Sequence, residues 1–542
     1  MIRSFLLLAL FVSLASLPRA QGCLSHGITF SSQGAIDSFT YYYPGCSIIE
    51  GDVYITGNTI SNFDSLCHVV TITGDLTIEF CGILHDLHGF SFLEHIYGNL
   101  LIKSNAFLKH LWGLDTLKSI AGGLLIENNH SLLSMEGLSN LTLINKWCTI
   151  TSNYALSSMK GFSATLQIGK SLGISNNHAL TSLEGLPKFK TLNGLYIRNN
   201  YDLVSLSGLD SLTLIAGELQ IKDNFSLLEL TGLSPLTTVE SDLMIENNDS
   251  LKNLNGLTSL RDLGGSFSIQ DNNSLISLQG MDALRTLSYF TLNRNNKLTN
   301  LSGLDSIQTI NNYIRIYSHD ALKSLHGLGQ LEQLNGDLII SGNTVLTDLT
   351  GMSLLKRVKG DLRIESNRSL TDLSPLLSIT SMSGKLTISN CDRLKSLHGL
   401  QNIDESGIRN LEITYSDSLS DCAYENICFY ISDENNAEIK INAPGCNSSE
   451  EVMNLCLVGT NGPLEEDGIS IFPNPTSDII EIKYASSYAL AVAKVLNAQG
   501  RLMKEVRIQD NRIDLQGLPD GMYLITIQLD DHMIVRRIVK IK

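Results

Sequence analysis

The sequence predicts a mainly β protein: a parallel β-solenoid of about sixteen coils with a period of 23–24 residues, followed by a small antiparallel β-sandwich. Three observations carry this. The glycine of a Ser-Leu-x-Gly-Leu phrase recurs at Gly89, Gly113, Gly137, Gly161, Gly185, Gly208, Gly232, Gly256, Gly280, Gly303, Gly327, Gly351 and Gly399, with Pro375 in the one missing place. A strand-ending apolar residue keeps the same beat from Ile55 through Ile197 and Leu292 to Ile413. Within one coil, Leu180, Leu183, Leu186, Phe189, Leu192 and Leu195 are spaced by three, and the spacing then tightens to two at Ile197. Period two is a strand with one face inward, whereas period three broken by glycine is a chain turning corners around an apolar axis. One such coil cannot cover its own inner face, so it must stack.

Three residues beyond the strand end stand Asn58, Asn105, Asn129, Asn153, Asn177, Asn200, Asn224, Asn248, Asn272, Asn295, Asn343 and Asn367. A carboxamide both donates and accepts, so an inward column of them can satisfy turn backbone and one another from coil to coil. Because nearly every coil has one, the column reads as structural; a sugar or metal site would be local.

Each coil offers Gly-x-Leu-x-Ile as its parallel strand, and this spans residues 51–415. Residues 21–50, with a Tyr41-Tyr42-Tyr43 cluster, are too irregular for a full coil and read as an N-terminal cap. Residues 416–456 read as the C-terminal cap and 457–468 as a linker. Alternating segments separated by turns at 497–500 and 518–521 make residues 469–542 the sandwich. Residues 1–20, with Arg3 and an apolar run from Phe5 to Leu14, read as a secretory signal peptide, and no later segment is apolar for long enough to span a membrane.

Cysteines crowd the two ends of the solenoid, where an open stack exposes apolar side chains and strand edges. Cys23, Cys46, Cys67 and Cys81 stand at one end and Cys422, Cys428, Cys446 and Cys456 at the other. Disulfides in the caps are expected, with connectivity open. Cys81 and Cys391 stand in the asparagine position, where either could be a buried thiol, and Cys148 falls at an inward strand position. The chain carries a net charge of −16, which argues against nucleic acid or an anionic membrane as main partner.

The phrase Leu192-x-x-Leu195-x-Ile197-x-x-Asn200 resembles the leucine-rich-repeat consensus, and the fuller coil looks more like the receptor L domain over residues 45–415. That resemblance implies a right-handed β-helix and a binding role. No cysteine-rich module or kinase accompanies it, so receptor signalling is not implied. Residues 469–542 resemble the type A C-terminal sorting domain of the Bacteroidetes type IX secretion system, through Phe472-Pro473-Asn474-Pro475, Gly521-Met522-Tyr523-Leu524 and Lys540-Ile541-Lys542. This implies partnership with the secretion machinery, outer-membrane passage, removal of the domain, and release or display at the outer cell surface.

No nucleophile, zinc, phosphate-loop or calcium pattern stands out, so the reading is not an enzyme, with no cofactor and no metal. His85 and His88, with His95 nearby, could suggest a metal site, but both lie in columns where other coils place Lys, Glu or Ser and read as exposed turn histidines. Arg315 and Arg363 could suggest a polysaccharide-degrading β-helix, but no acidic cluster stands on the neighbouring strands. The outward strand positions vary freely. Tyr196 with Arg198, and Tyr289 with Tyr313, Arg315 and Tyr317, are the ligand-binding candidates, because amphipathic rings and arginine on a rigid sheet suit protein or glycan recognition. The expected function is binding or adhesion; a structural envelope or matrix spacer is the alternative.

Overall fold

The structure is a computed structural model that describes residues 21–432, 437–458, 469–472, 476–484, 492–497, 501–508, 511–528 and 533–540. The expected signal peptide, most of the linker and the Pro473-Asn474-Pro475 motif lie outside the described residues. The fold is a parallel β-solenoid of about 17 turns with antiparallel sheets near the C-terminus. The chain forms two compact units that divide after Gly265.

In the first unit the strand ends pair in register from coil to coil. Ile55 lies opposite Ile78, Ile78 opposite Ile102, and the series continues through Ile174 and Ile197 to Ile221 and Ile245. The second unit repeats the arrangement from Ile269 opposite Leu292 to Ile388 opposite Ile413. A parallel ladder in register places like residues above one another, so each inward side chain is covered by its own kind. The period-three residues complete that interior: Leu180, Leu183, Leu186, Phe189 and Leu192 are all buried.

Two features go beyond the one-strand coil expected. The period-three stretch itself contains a short strand, so a second parallel column runs through Thr71–Ile72, His95–Ile96, Ser119–Ile120 and Leu143–Ile144. The irregular ends also join the ladder. Phe30 pairs opposite Ile55, and Ile439 opposite Ile413, because an inward apolar residue there covers a coil that would otherwise face water.

The recurring glycine is dictated by close approach. At Gly208 φ is +113°, and a Cβ would lie 2.1 Å from the Leu183 carbonyl oxygen one coil below. Pro375 fits its coil because there the corner is a 3-10 turn, Ser374–Leu376, in which φ is negative and the missing N–H is not needed.

Three disulfides form among the described residues, Cys23–Cys46, Cys422–Cys446 and Cys428–Cys456. Cys67 and Cys81, candidates for the N-terminal cap, remain thiols. Cys81 is held elsewhere: its Sγ points into the buried column, beside the carbonyls of Ile55 and Glu79. Cys148 and Cys391 are likewise buried thiols.

The C-terminal sandwich pairs a three-stranded antiparallel sheet with a four-stranded one. Ile471, Ile480, Ile482, Val495, Ile513, Tyr523, Ile525 and Ile527 fill its interior. Among the described residues no helix is long and apolar enough to cross a membrane.

Candidate functional site: the outer face of the strand column

The strands that carry the outer face are backed by a column of asparagines. The residue before each ladder asparagine adopts a left-handed backbone, as at Asn176, Asn199 and Asp223 with φ of 55–57°, and this turn directs the next side chain inward. Asn129 shows the pattern. Its Nδ2 donates to the Ile102 carbonyl at 2.9 Å, and its backbone N–H donates to the Asn153 carboxamide oxygen at 3.0 Å. The same bonds recur at Asn105, Asn153, Asn177, Asn200 and Asn224. Asn248 also donates to the Ile221 carbonyl. In the second unit Asn272, Asn295, Asn343 and Asn367 occupy the column. A buried carboxamide left without these partners would cost roughly 1–3 kcal/mol.

The column contains residues that the asparagine spacing passes over. His319 fills the coil between Asn295 and Asn343, and it is fully buried. Ser416 and Asn442 extend the series, since Cys391 N–H donates to Ser416 Oγ and Ser416 N–H to the Asn442 carboxamide. Asn58 does not belong to it: it is exposed, while Cys81 on the next coil receives no bond from it and instead donates its N–H to Asn105.

On the outer face of the first unit, Arg198 lies over the Tyr196 ring, Cζ to centroid 4.8 Å, and donates to Gln220, which in turn donates to Glu218. Burial raises the Tyr196 phenol above its ordinary range, and the Glu218 charge adds to this. Gly173 pairs opposite Tyr196 and presents no side chain, so a depression of about 330 Å³ opens between Thr149, Ser175, Tyr196, Arg198 and Glu218.

In the second unit the structure brings the other four candidates together. Tyr289 pairs opposite Tyr313, with ring centroids 4.9 Å apart. The Arg315 guanidinium lies over the Tyr313 ring, Cζ to centroid 4.0 Å. Tyr317 follows on the same strand, Thr309–Tyr317. Burial raises its phenol and the Glu365 charge adds to this, while the positive fields of Arg315 and Arg363 oppose the rise.

Sequence spacing missed an aromatic column on the first unit. His130, Tyr154, His178, Tyr201 and Phe225 stack successively at 4.5, 5.0, 4.4 and 5.0 Å. Each directly follows a ladder asparagine, which is the signal that could have found it. The turn histidines make local contacts: His88 pairs with Asp86 at 2.8 Å, and His85 meets the Phe107 ring. Among the described residues no group of three His, Cys, Asp or Glu side chains could hold a metal ion.

In the sorting-domain region, Phe472 ends the strand Ile469–Phe472, and Gly521 opens the strand Gly521–Gln528 with φ of +152°. Tyr523 donates its hydroxyl to the Pro519 carbonyl at 2.8 Å. Lys540 is buried, and its ammonium donates to the Leu518 carbonyl at 2.7 Å and pairs with Asp478 at 2.9 Å.

Fold and face together define a repeat protein whose inner residues are fixed by stacking and whose outer residues are free to differ, followed in the sequence by a separate antiparallel domain. Residues 94–208 match the receptor L domain family, and residues 470–542 match the secretion system C-terminal sorting domain family. The first match is narrower than residues 45–415, but the in-register pairing continues the same coil on both sides of it. Both families are non-catalytic. No curated protein matches the chain. The sorting domain implies export by type IX secretion, to the cell surface or beyond it, and contact with that machinery.

Proposed function

We propose that residues 21–456 are the binding or adhesion part of a secreted, surface-displayed protein, and that residues 469–542 are a removable export domain. The observation that carries this reading is the contrast between columns. The inner positions repeat apolar residues at every rung, while Tyr196 with Arg198, and Tyr289 with Tyr313, Arg315 and Tyr317, are confined to a few rungs of the outer face. A residue that stacking does not require, and that is local, is what recognition needs. A glycan and protein binding screen with the exported protein tests it, and truncation after Gly468 should hold the protein inside the cell.

A spacer without a ligand has one observation in its favour. Several charges of the outer face neutralise one another along the columns, as in Lys103 with Glu79, Lys222 with Glu246 and Lys385 with Glu412. A uniformly negative screen would favour it.

A further inference from the structure

The charge pattern of the second unit's outer face breaks at one place. Arg363 is neutralised by Glu365 at 2.8 Å and Lys385 by Glu412. Arg315, one rung from Ile339 and two from Arg363, pairs with no carboxylate among the described residues, and its Nε–H is buried with no acceptor. Contact with the Tyr313 ring, Cζ to centroid 4.0 Å, helps hold the guanidinium in place. In a chain of net charge −16, a fixed and unneutralised cation is a place prepared for an external anion.

We propose that this cluster binds an acidic polysaccharide, with a carboxylate or sulfate of one sugar seated on Arg315 and adjoining hydroxyls held by side chains of neighbouring rungs. The proposal rests on the reading of this face as a binding surface. Two oxygens of a carboxylate or a sulfate match the guanidinium fork with two parallel hydrogen bonds. Tyr317, two residues further along the same strand and so on the same face, adds a hydroxyl donor beside that position. Thr291 and Asn293, on the preceding rung, supply a hydroxyl and a carboxamide for sugar hydroxyls. A protein partner fits less well. Interfaces between proteins centre on apolar or aromatic anchors, whereas here Ile339 is only 8% exposed and the Tyr313 ring is covered by Tyr289 and Arg315. What this face offers is hydrogen-bonding edges.

The test uses the full chain and four polymers: polygalacturonate, its fully methyl-esterified form, dextran sulfate and dextran, with poly-glutamate as the peptide comparison. Titration calorimetry should show binding to at least one acidic polysaccharide, weakening as salt is raised, and its preference between the two acids identifies carboxylate or sulfate as the group recognised. Arg315→Gln should lower that affinity by about tenfold or more, and Arg315→Lys should restore part of it. Lys356→Gln, which removes an exposed cation paired with Glu332, should leave it unchanged. Circular dichroism of each variant separates lost binding from lost fold. Equal binding of the neutral polymers, preference for poly-glutamate, absence of binding to either acid, or indifference to Arg315→Gln overturns the proposal. If a neutral polymer binds and replacing Tyr313 and Tyr317 abolishes that binding, the face still binds and only the anion is wrong. If a polymer binds and no variant of the face matters, the reading of the face fails as well.

Discussion

The Nδ1 atom of His319 lies 3.0 Å from the carboxamide oxygen of Asn343, which also accepts the His319 backbone N–H at 3.2 Å. An imidazole thus stands where the column has a carboxamide, and its Nε2 is buried without a partner. Burial lowers the His319 pKa from 6.5 to about 4, while the bond to Asn343 and the Asp320 charge oppose the shift.

The sign of the pH effect follows. The folded protein resists protonating His319 and the unfolded chain does not, so the contribution is complete above pH 6.5 and is lost as pH falls toward 4. The loss amounts to about 3 kcal/mol at the lower end. His319→Asn, which returns a carboxamide to the column, should remove that part of the acid sensitivity, as read from urea midpoints at pH 7 and pH 4.5. Equal acid losses in the two proteins would show that His319 does not carry it.

Gly208 and Gly329 should respond differently to the same change. A Cβ at Gly208 meets the Leu183 carbonyl at a backbone φ of +113°, whereas nothing lies within 4 Å of one at Gly329. Gly208→Ala should cost roughly 1–3 kcal/mol, and Gly329→Ala should be near neutral. Thermal unfolding of both variants checks this, and equal melting temperatures would contradict it.

The four thiols should separate by reactivity. Cys67 is half-buried and its Sγ lies 3.2 Å from His68 Nδ1, while burial pushes Cys81, Cys148 and Cys391 up to about 12. Iodoacetamide on the native protein should label Cys67 first and the other three only after denaturation, as mapped by peptide mass. Rapid native labelling of Cys148 would mean that its coil opens.

Replacing Tyr313 and Tyr317 together with Ser should leave the β circular dichroism unchanged, because both are outward and only half-buried. Binding to whatever the screen identifies should fall by about tenfold. Unchanged pull-down or glycan-array signals would remove these residues from the site.

Much of the solenoid could be read from particular residues. The beat of Gly208 and the doublet of Leu195 and Ile197 demand stacked coils, since no other arrangement buries apolar residues repeating at 23 or 24. The outer face was less legible. That Tyr289, Tyr313 and Arg315 share a face follows from register, but that the guanidinium covers one ring and leaves Nε without an acceptor depends on rotamers. The stack from His130 to Phe225 was hidden because it mixes imidazole, phenol and phenyl rings, so that no single residue type repeats along it.

The amino-acid sequence by itself determined the repeat, its interior and its export domain, because periodic burial leaves a period in the residues. Only the tertiary structure decided that His319, Ser416 and Asn442 share the asparagine column, that Cys67 and Cys81 stay unpaired, and that Arg315 has no carboxylate to neutralise it. Those outcomes depend on distances between coils, and a linear spacing shows which residues are stacked without showing which atoms meet.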